Sequence, residues 1–335
     1  MRSPERILET PLEGVLVVAD IGATNARFAL AHSEGIASQR VYSSRESGSG
    51  LELVARYLAE VEVAPPVALC VALAGPVKGG SASLTNTEIG FSVAELEARF
   101  GGPARLINDF AAIASAVPGL ATSGLVGIGH NTDAVPLDPG GPGVKALIGP
   151  GTGLGMSMLL PDDGRWLVMP SQGGHCDLAA TDPLESEVLA ILRLEGDQVP
   201  WEACLSGPGL VRLYQAICGV WGAQPDHTSP EQVSAGAAVG DPVCHQTLEM
   251  FWGMLGCAAG NLALMSCARG GVLIGGGIVP KLLDQLRPAH FRRRFEERGA
   301  LQDFVRDIPT AVIVDPDVGL KGAARAFLGA VRFID

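Results

Sequence analysis

The chain is expected to fold as a two-lobed α/β protein with a cleft between a small and a large α/β domain. Three observations lead there. Its 335 residues exceed the size at which a single hydrophobic core usually stops growing, so two lobes are the starting expectation. Apolar runs alternate with stretches whose apolar residues recur every three to four positions, the pattern of mixed α/β architecture with a largely parallel sheet. Two of the apolar runs, near residues 16 and 146, open with the same strand–glycine turn–strand pattern, which suits a duplicated plan.

The first run, LVVADIGATNARFALAH (16–32), ends its apolar part in Asp20. A turn of small residues follows, Ile21-Gly22-Ala23-Thr24-Asn25, and then a segment that alternates like a strand. Two strands joined so tightly read as a hairpin. Gly22 and Ala23 leave room for backbone N–H groups and the Thr24 hydroxyl to approach a polyphosphate, and Asp20 is placed to hold a metal ion or its water shell. A second hairpin is expected over 26–42. LELVARYLAEV (51–61) and SVAELEARF (92–100) have helical spacing, and Ser92 with Glu95 reads as a capping box. VALCVAL and RLIND read as strands, the latter running into a helix that ends near 117.

The Gly/Pro-rich stretch 118–142 marks the passage to the second lobe. Strands recur at 145–149, 155–160 and 165–169, with Gly151-Thr152-Gly153 in the turn between the first two. Residues 183–268 read as mostly helical. GVLIGGG, with Gly275, Gly276 and Gly277, and AVIVD close the lobe before a last small-residue helix at about 320–331.

Composition narrows the functions. A hydrophobic content of 47% with 18% charged residues is that of an ordinary soluble protein, and a net charge of −12 argues against nucleic-acid binding. The basic knot FRRRFEER (291–298) carries its own glutamates and is expected to be a solvated helix face. Seven cysteines without C-x-x-C spacing, several in apolar runs, fit buried free thiols in a reducing cytosol. No membrane association is expected. The N-terminus lacks a signal-peptide pattern, and the apolar helix near 243–268 reads as a buried core helix. The P-loop pattern G-x-x-x-x-G-K-[ST] and the dinucleotide pattern G-x-G-x-x-G are both missing.

Asp109 follows a strand and opens a helix, so it reads either as a general base at a sheet's C-terminal edge or as an ordinary helix cap. In SQGGHCD, His175, Cys176 and Asp177 lack a second ligand pair, and a zinc site there is disfavoured. Glu195, taken alone, reads as a solvated residue near a helix end.

The segments ADIGATNARFAL, INDFAAIA, GTGLG, GGHCD, LSGPGLVRLY and GGVLIGGGIVPK, in that order over residues 15–328, resemble the bacterial hexokinase-type glucokinases of the actin-like ATPase superfamily. The resemblance implies a ribonuclease H-like fold, with residues 1–118 plus 319–335 as the small domain and 119–318 as the large one. It implies ATP-dependent, Mg²⁺-assisted phosphorylation of glucose at its C6 hydroxyl, feeding glycolysis, by a cytoplasmic homodimer. Asp109 would be the base, and Asn108, Gln172, His175 and Glu195 would hold the sugar. Asp20 would serve the metal. Asp20 to Asn25, with Arg27 close by, and Gly151 to Gly153 would face the phosphates, and Gly275 to Gly277 the adenosine. A Cβ at Gly153 or Gly276 is expected to collide with the nucleotide or force a strained backbone. Gln172 departs from the family's Glu, and TNTEIGFS (85–92) lacks the aromatic residue often found in that loop, so a kinase for another hexose or an amino sugar stays open. A non-catalytic sugar or nucleotide sensor on the same fold would not need Asp109. An actin-like ATPase without a sugar substrate would not need Asn108, QGGH and Glu195.

Overall fold

The computed structural model describes residues 14–32, 35–45, 48–84, 89–129, 137–194, 196–285 and 288–334. The first lobe contains β1 (Leu16–Ile21), β2 (Asn25–His32), β3 (Gly35–Ser43), α1 (Gly50–Glu60), β4 (Val67–Leu73), β5 (Ser81–Ser83), β6 (Gly90–Ser92), α2 (Val93–Phe100), β7 (Gly101–Asn108) and α3 (Asp109–Ala116). Then come β8 (Leu125–Gly127), β9 (Lys145–Pro150), β10 (Leu154–Asp162), β11 (Arg165–Ser171), α4 (Pro183–Leu192), α5 (Gly207–Trp221), α6 (Pro230–Ala238) and α7 (Pro242–Ser266). The chain closes with β12 (Gly271–Ile274), α8 (Pro288–Glu296), α9 (Gln302–Arg306), β13 (Thr310–Ile313), α10 (Val318–Phe327) and β14 (Val331–Phe333).

The two main sheets repeat one plan. The five-stranded sheet runs β3-β2-β1-β4-β7, and within the seven-stranded sheet the order β11-β10-β9-β12-β13 repeats it, with β14 and β8 added at the edges. In each, a meander of antiparallel strands is followed by two strands parallel to its first. The parallel strands carry helices on both faces and therefore read as unbroken apolar runs; every residue of β4 is buried.

Each repeat ends in a helix that crosses to the other sheet. α3 leaves β7 and packs on β10 and β11; α10 leaves β13 and packs on β1 and β4. The two helices lie directly against each other, with Gly322 so close that a Cβ there would overlap the Ala112 carbonyl. Their alanines, together with Leu16, Leu147, Leu273 and Leu320, form one core shared by both lobes. The larger lobe has a second core around α7, most of whose residues are buried, as expected of a core helix.

Three expectations are corrected. Ser92 stands at the N-cap of α2, but its side chain makes no capping bond. Its backbone is committed to the β5–β6 ladder, opposite Ser81. Capping boxes form instead between Ser49 and Glu52 at α1 and between Ser229 and Gln232 at α6. The basic knot is not a solvated face. Arg292 is buried against Glu296 at 2.7 Å and donates to the carbonyls of Ile308 and Arg306, while Arg294 meets Glu185 at 2.8 Å. Residues 331–333, expected with the small domain, pair in parallel with β11. α10 stops at Phe327, Gly329 turns the chain at φ 72°, and the tail drops onto the edge of the larger sheet.

Candidate active site

The C-terminal ends of β1, β4 and β7 point to one side of the five-stranded sheet, and those of β9, β12 and β13 to one side of the seven-stranded sheet. The loops leaving these ends line a shared cleft of about 2270 Å³. Ligands gather at such edges in open α/β sheets.

On the first side, Asp20 is the fifth residue of β1. The turn beyond it is closed by Gly22 N–H to the Asn25 carbonyl at 3.0 Å. It is pinned to the end of β3 by Ser44, whose Oγ donates to Gly22 O at 2.8 Å and whose N–H donates to Thr24 O at 3.0 Å. The Asp20 carboxylate faces the start of α10, where a Cβ at Gly319 would lie 2.5 Å from Oδ2. Burial pushes this carboxyl above its ordinary range, and the Arg27 guanidinium, 3.7 Å away, pulls it back.

Asn108 resolves the ambiguity at the start of α3. Its Oδ1 accepts the N–H groups of Phe110 at 2.9 Å and Ala111 at 3.2 Å, and its Nδ2 donates to Gly75 O at 3.2 Å. Asn108 is the N-cap, while Asp109, whose Oδ1 also accepts the Phe110 N–H at 2.9 Å, lines the cleft. The Asn108 side chain also hydrogen-bonds the Asp109 carboxylate, favouring its ionised form. Burial pushes the Asp109 carboxyl up to about 7, and the nearby charge of Asp20 pushes the same way against hydrogen bonds that favour the ionised form. Phe110 anchors the helix start in the other lobe. Its ring lies against the bare backbone of Gly149 and Gly155, and its carbonyl accepts a bond from Ser157 Oγ at 3.2 Å.

On the second side, Gly151 N–H donates to Gly153 O at 2.7 Å, and Gly207 N–H holds Gly151 O at 2.8 Å, fixing the loop to the start of α5. After β12, Gly276 has φ 81° and presses on the Pro150 carbonyl, so only glycine fits there. Gln172 and His175 flank a single helical turn, with His175 N–H donating to Gln172 O at 3.0 Å, and both line the cleft. Asp177 is engaged by Gln198 at 2.6 Å.

Asp20, Gly22, Ala23, Thr24, Asn25, Asn108, Asp109, Gly151, Thr152, Gly153, Gln172, His175, Gly275, Gly276 and Gly277 thus share one cleft. One expected residue, Ile21, is not among them. The side chain of Ile21 is fully buried in the apolar core of the first lobe, because it alternates with Asp20 along β1 and points to the opposite face. Glu195 falls outside the described residues. Glu202, which the sequence alone did not single out, lines the cleft, and its Oε2 accepts the Leu154 N–H at 2.8 Å beside Gly153. A signal for it was present. Glu202 lies four positions ahead of Ser206, the N-cap of α5 within LSGPGLVRLY, and Ser206 Oγ donates to Glu202 O at 2.9 Å.

The family model described as Glucokinase matches residues 17–329. The chain belongs to the glucokinase family. A glucokinase of Nitrobacter hamburgensis is 40% identical over 311 residues, covering 92% of this chain and 95% of the relative. One of Saccharophagus degradans is 37% identical over 326 residues, covering 95% and 98%. The crystal structure of a glucokinase from an Antarctic psychrotroph superposes with a TM-score of 0.81 at 36% identity, covering 94% of this chain and 99% of that one. The family's architecture is the actin-like ATPase fold, and the repeated sheets with crossed helices are its plan.

Proposed function

We propose that this protein transfers the γ-phosphoryl group of ATP to the C6 hydroxyl of glucose, giving glucose 6-phosphate and ADP. The observation that carries the reading is Asp109. Asn108 holds the N-cap, and the Asp109 carboxylate, one oxygen of which accepts the Phe110 N–H at 2.9 Å, is poised near neutrality and set where glycine loops from both lobes converge. Asn108, Gln172, His175 and Glu202 hold the sugar, with Glu202 in the place that the family resemblance gives to Glu195. With the N–H groups of Gly22 and Gly151 holding their own turns closed, Ala23 to Asn25 and Thr152 to Gly153 face the phosphates, and Gly275 to Gly277 leave a bare floor for adenosine.

Asp109 accepts the proton of the C6 hydroxyl as that oxygen attacks the γ-phosphorus in line, and the bond to the β-phosphate oxygen breaks with its electrons leaving on ADP. Asp20 suits Mg²⁺, since a largely buried carboxylate beside a second carboxylate calls for a cation, and Mg²⁺ takes one or two carboxylates together with phosphate oxygens. When bound, the ion neutralises phosphate charge. The two units that would close over the substrates are residues 1–118 with α10, and 119–317. Closure shuts out water, which competes with the sugar for the phosphoryl group.

A coupled assay of ADP release across a panel of hexoses and amino sugars, with a no-sugar control, tests the proposal. Glucose-dependent release supports it. Equal release without sugar contradicts it, and a strong preference for another sugar moves the assignment to that sugar.

A further inference from the structure

Outside the cleft, among the described residues, one group of side chains brings metal-ligating atoms together. His227 precedes α6, Asp241 is the N-cap of α7, and Cys244 lies on its first turn. Their ligand atoms, an imidazole nitrogen, a carboxylate oxygen and a sulfur, all lie within 4.8 Å of one another. α6 makes room for them at Gly236, where a Cβ would lie 2.6 Å from Cys244 Sγ and 3.0 Å from His227 Nε2. Two ligand atoms therefore converge on bare backbone. The imidazole also packs against Tyr214, ring centroids 5.2 Å apart, and the tyrosine hydroxyl accepts the Asp226 N–H at 3.2 Å. Asp241 caps α7 by accepting the Cys244 N–H through Oδ1 at 2.8 Å. The Cys244 thiol also hydrogen-bonds the Asp241 carboxylate, and neither bond accounts for the His227 imidazole nitrogen converging on the same point.

We propose that His227, Asp241 and Cys244 form a binding site for a borderline-soft divalent cation of the zinc class, which fastens α6 to the start of α7. Sulfur, imidazole nitrogen and one carboxylate are the donors such a cation takes, whereas Mg²⁺ and Ca²⁺ prefer oxygen sets. Bonds of about 2.0–2.3 Å in a tetrahedron place ligands roughly 3.3–3.8 Å apart, within reach of small side-chain rotations. His227 and Asp241 are partly exposed and give the ion a way in, while Cys244 closes the inner side. Water completes the tetrahedron, because the nearby Cys218 thiol is directed to the Gln224 carbonyl at 3.9 Å. Binding forms a metal–sulfur bond and releases the Cys244 thiol proton to solvent, with no change of oxidation state. The other face of α6 turns Glu231, Ser234 and Ala235 towards the cleft, so occupancy stiffens that wall.

The test titrates chelator-treated protein with Co²⁺ and then displaces it with Zn²⁺. The expected result is one equivalent bound, with a thiolate-to-cobalt charge-transfer band that Cys244→Ser removes. Loss of even an outer partner costs about 10–100-fold in metal affinity, so His227→Gln should weaken binding at least that much. Cys267→Ser, an exposed cysteine elsewhere, should change nothing. Zn²⁺ should slow hydrogen exchange across α6 in the parent and not in His227→Gln. Parent binding no tighter than that of His227→Gln, or a charge-transfer band that survives Cys244→Ser, overturns the site. Unchanged α6 exchange at saturating Zn²⁺ overturns the fastening. Should Cys244→Ser fail to fold, the partly exposed His227→Gln decides.

Discussion

Asp109 combines two requirements that oppose each other. A base must be ionised to take a proton, yet burial and the charge of Asp20 push its carboxyl up to about 7. For the free enzyme, kcat/KM should therefore climb with pH through about 7 and then level off, because the ionised fraction does. Stability runs the other way. A carboxyl whose folded value lies above its unfolded one stabilises the fold fully at low pH and loses that contribution as pH rises from 3.8 to about 7. Asp109→Asn should thus melt higher than the parent at pH 8, with the gap narrowing as pH falls below 7. A gap that widens towards acid would mean the carboxyl is not held protonated by its surroundings. Glu202 separates the structural from the sequence-based assignment. A hydrogen bond to a charged acceptor exceeds a neutral one by about 1 kcal/mol, so Glu202→Gln should raise the glucose requirement roughly five- to tenfold. Glu195→Gln should leave it unchanged, and the reverse result would return the sugar contact to Glu195.

At the scale of elements, the crossing of α3 and α10 and the glycine loops carry separate burdens. Gly322→Ala places a methyl into the Ala112 carbonyl, and overpacking of this kind costs about 1–3 kcal/mol, read as a lower melting temperature. An unchanged melting temperature would mean the helices do not rest on each other. A Cβ at Gly153, expected from the sequence to intrude on nucleotide, meets Glu202 instead, so its substitution disturbs both substrates. Gly277 is the cleaner probe. No protein atom lies within 4 Å of a Cβ there, so Gly277→Val should raise the ATP requirement while melting temperature and sugar binding stay put. Unaltered use of ATP would remove these glycines from the nucleotide site. The longer strands and most helices were legible because their periods and glycine stops are local, whereas the three-residue strands β5, β6, β8 and β14 were not, being too short to show a period. The pattern S-x-x-E occurs at both Ser49 and Ser92, and only the strand pairing of Ser92 tells them apart. The burial of Arg294 depends on Glu185, more than a hundred positions away along the chain, which no local pattern reveals.

In the whole molecule, two copies of one sheet plan face each other across the cleft, each contributing a glycine loop and a crossed helix. Their repetition was legible in two strand–glycine turn–strand openings, and so were fifteen of the cleft's residues, because they stand at the ends of apolar strands. Ile21 was misplaced because a motif names consecutive residues while a strand alternates its faces. Glu202 was missed because its position in the cleft follows from the packing of α5 against the Gly151 loop. His227, Asp241 and Cys244 are joined only by the meeting of α6 with α7. The central claim is that this cleft delivers a sugar hydroxyl to Asp109, and the turnover of Asp109→Asn, measured beside calorimetric glucose binding, tests it most directly. The asparagine keeps the size of the side chain and cannot accept the proton. Loss of a general base typically costs about 10²–10⁴-fold in rate, so kcat should fall at least that far while glucose binds with nearly parental affinity. Turnover close to that of the parent would show that Asp109 is not the base.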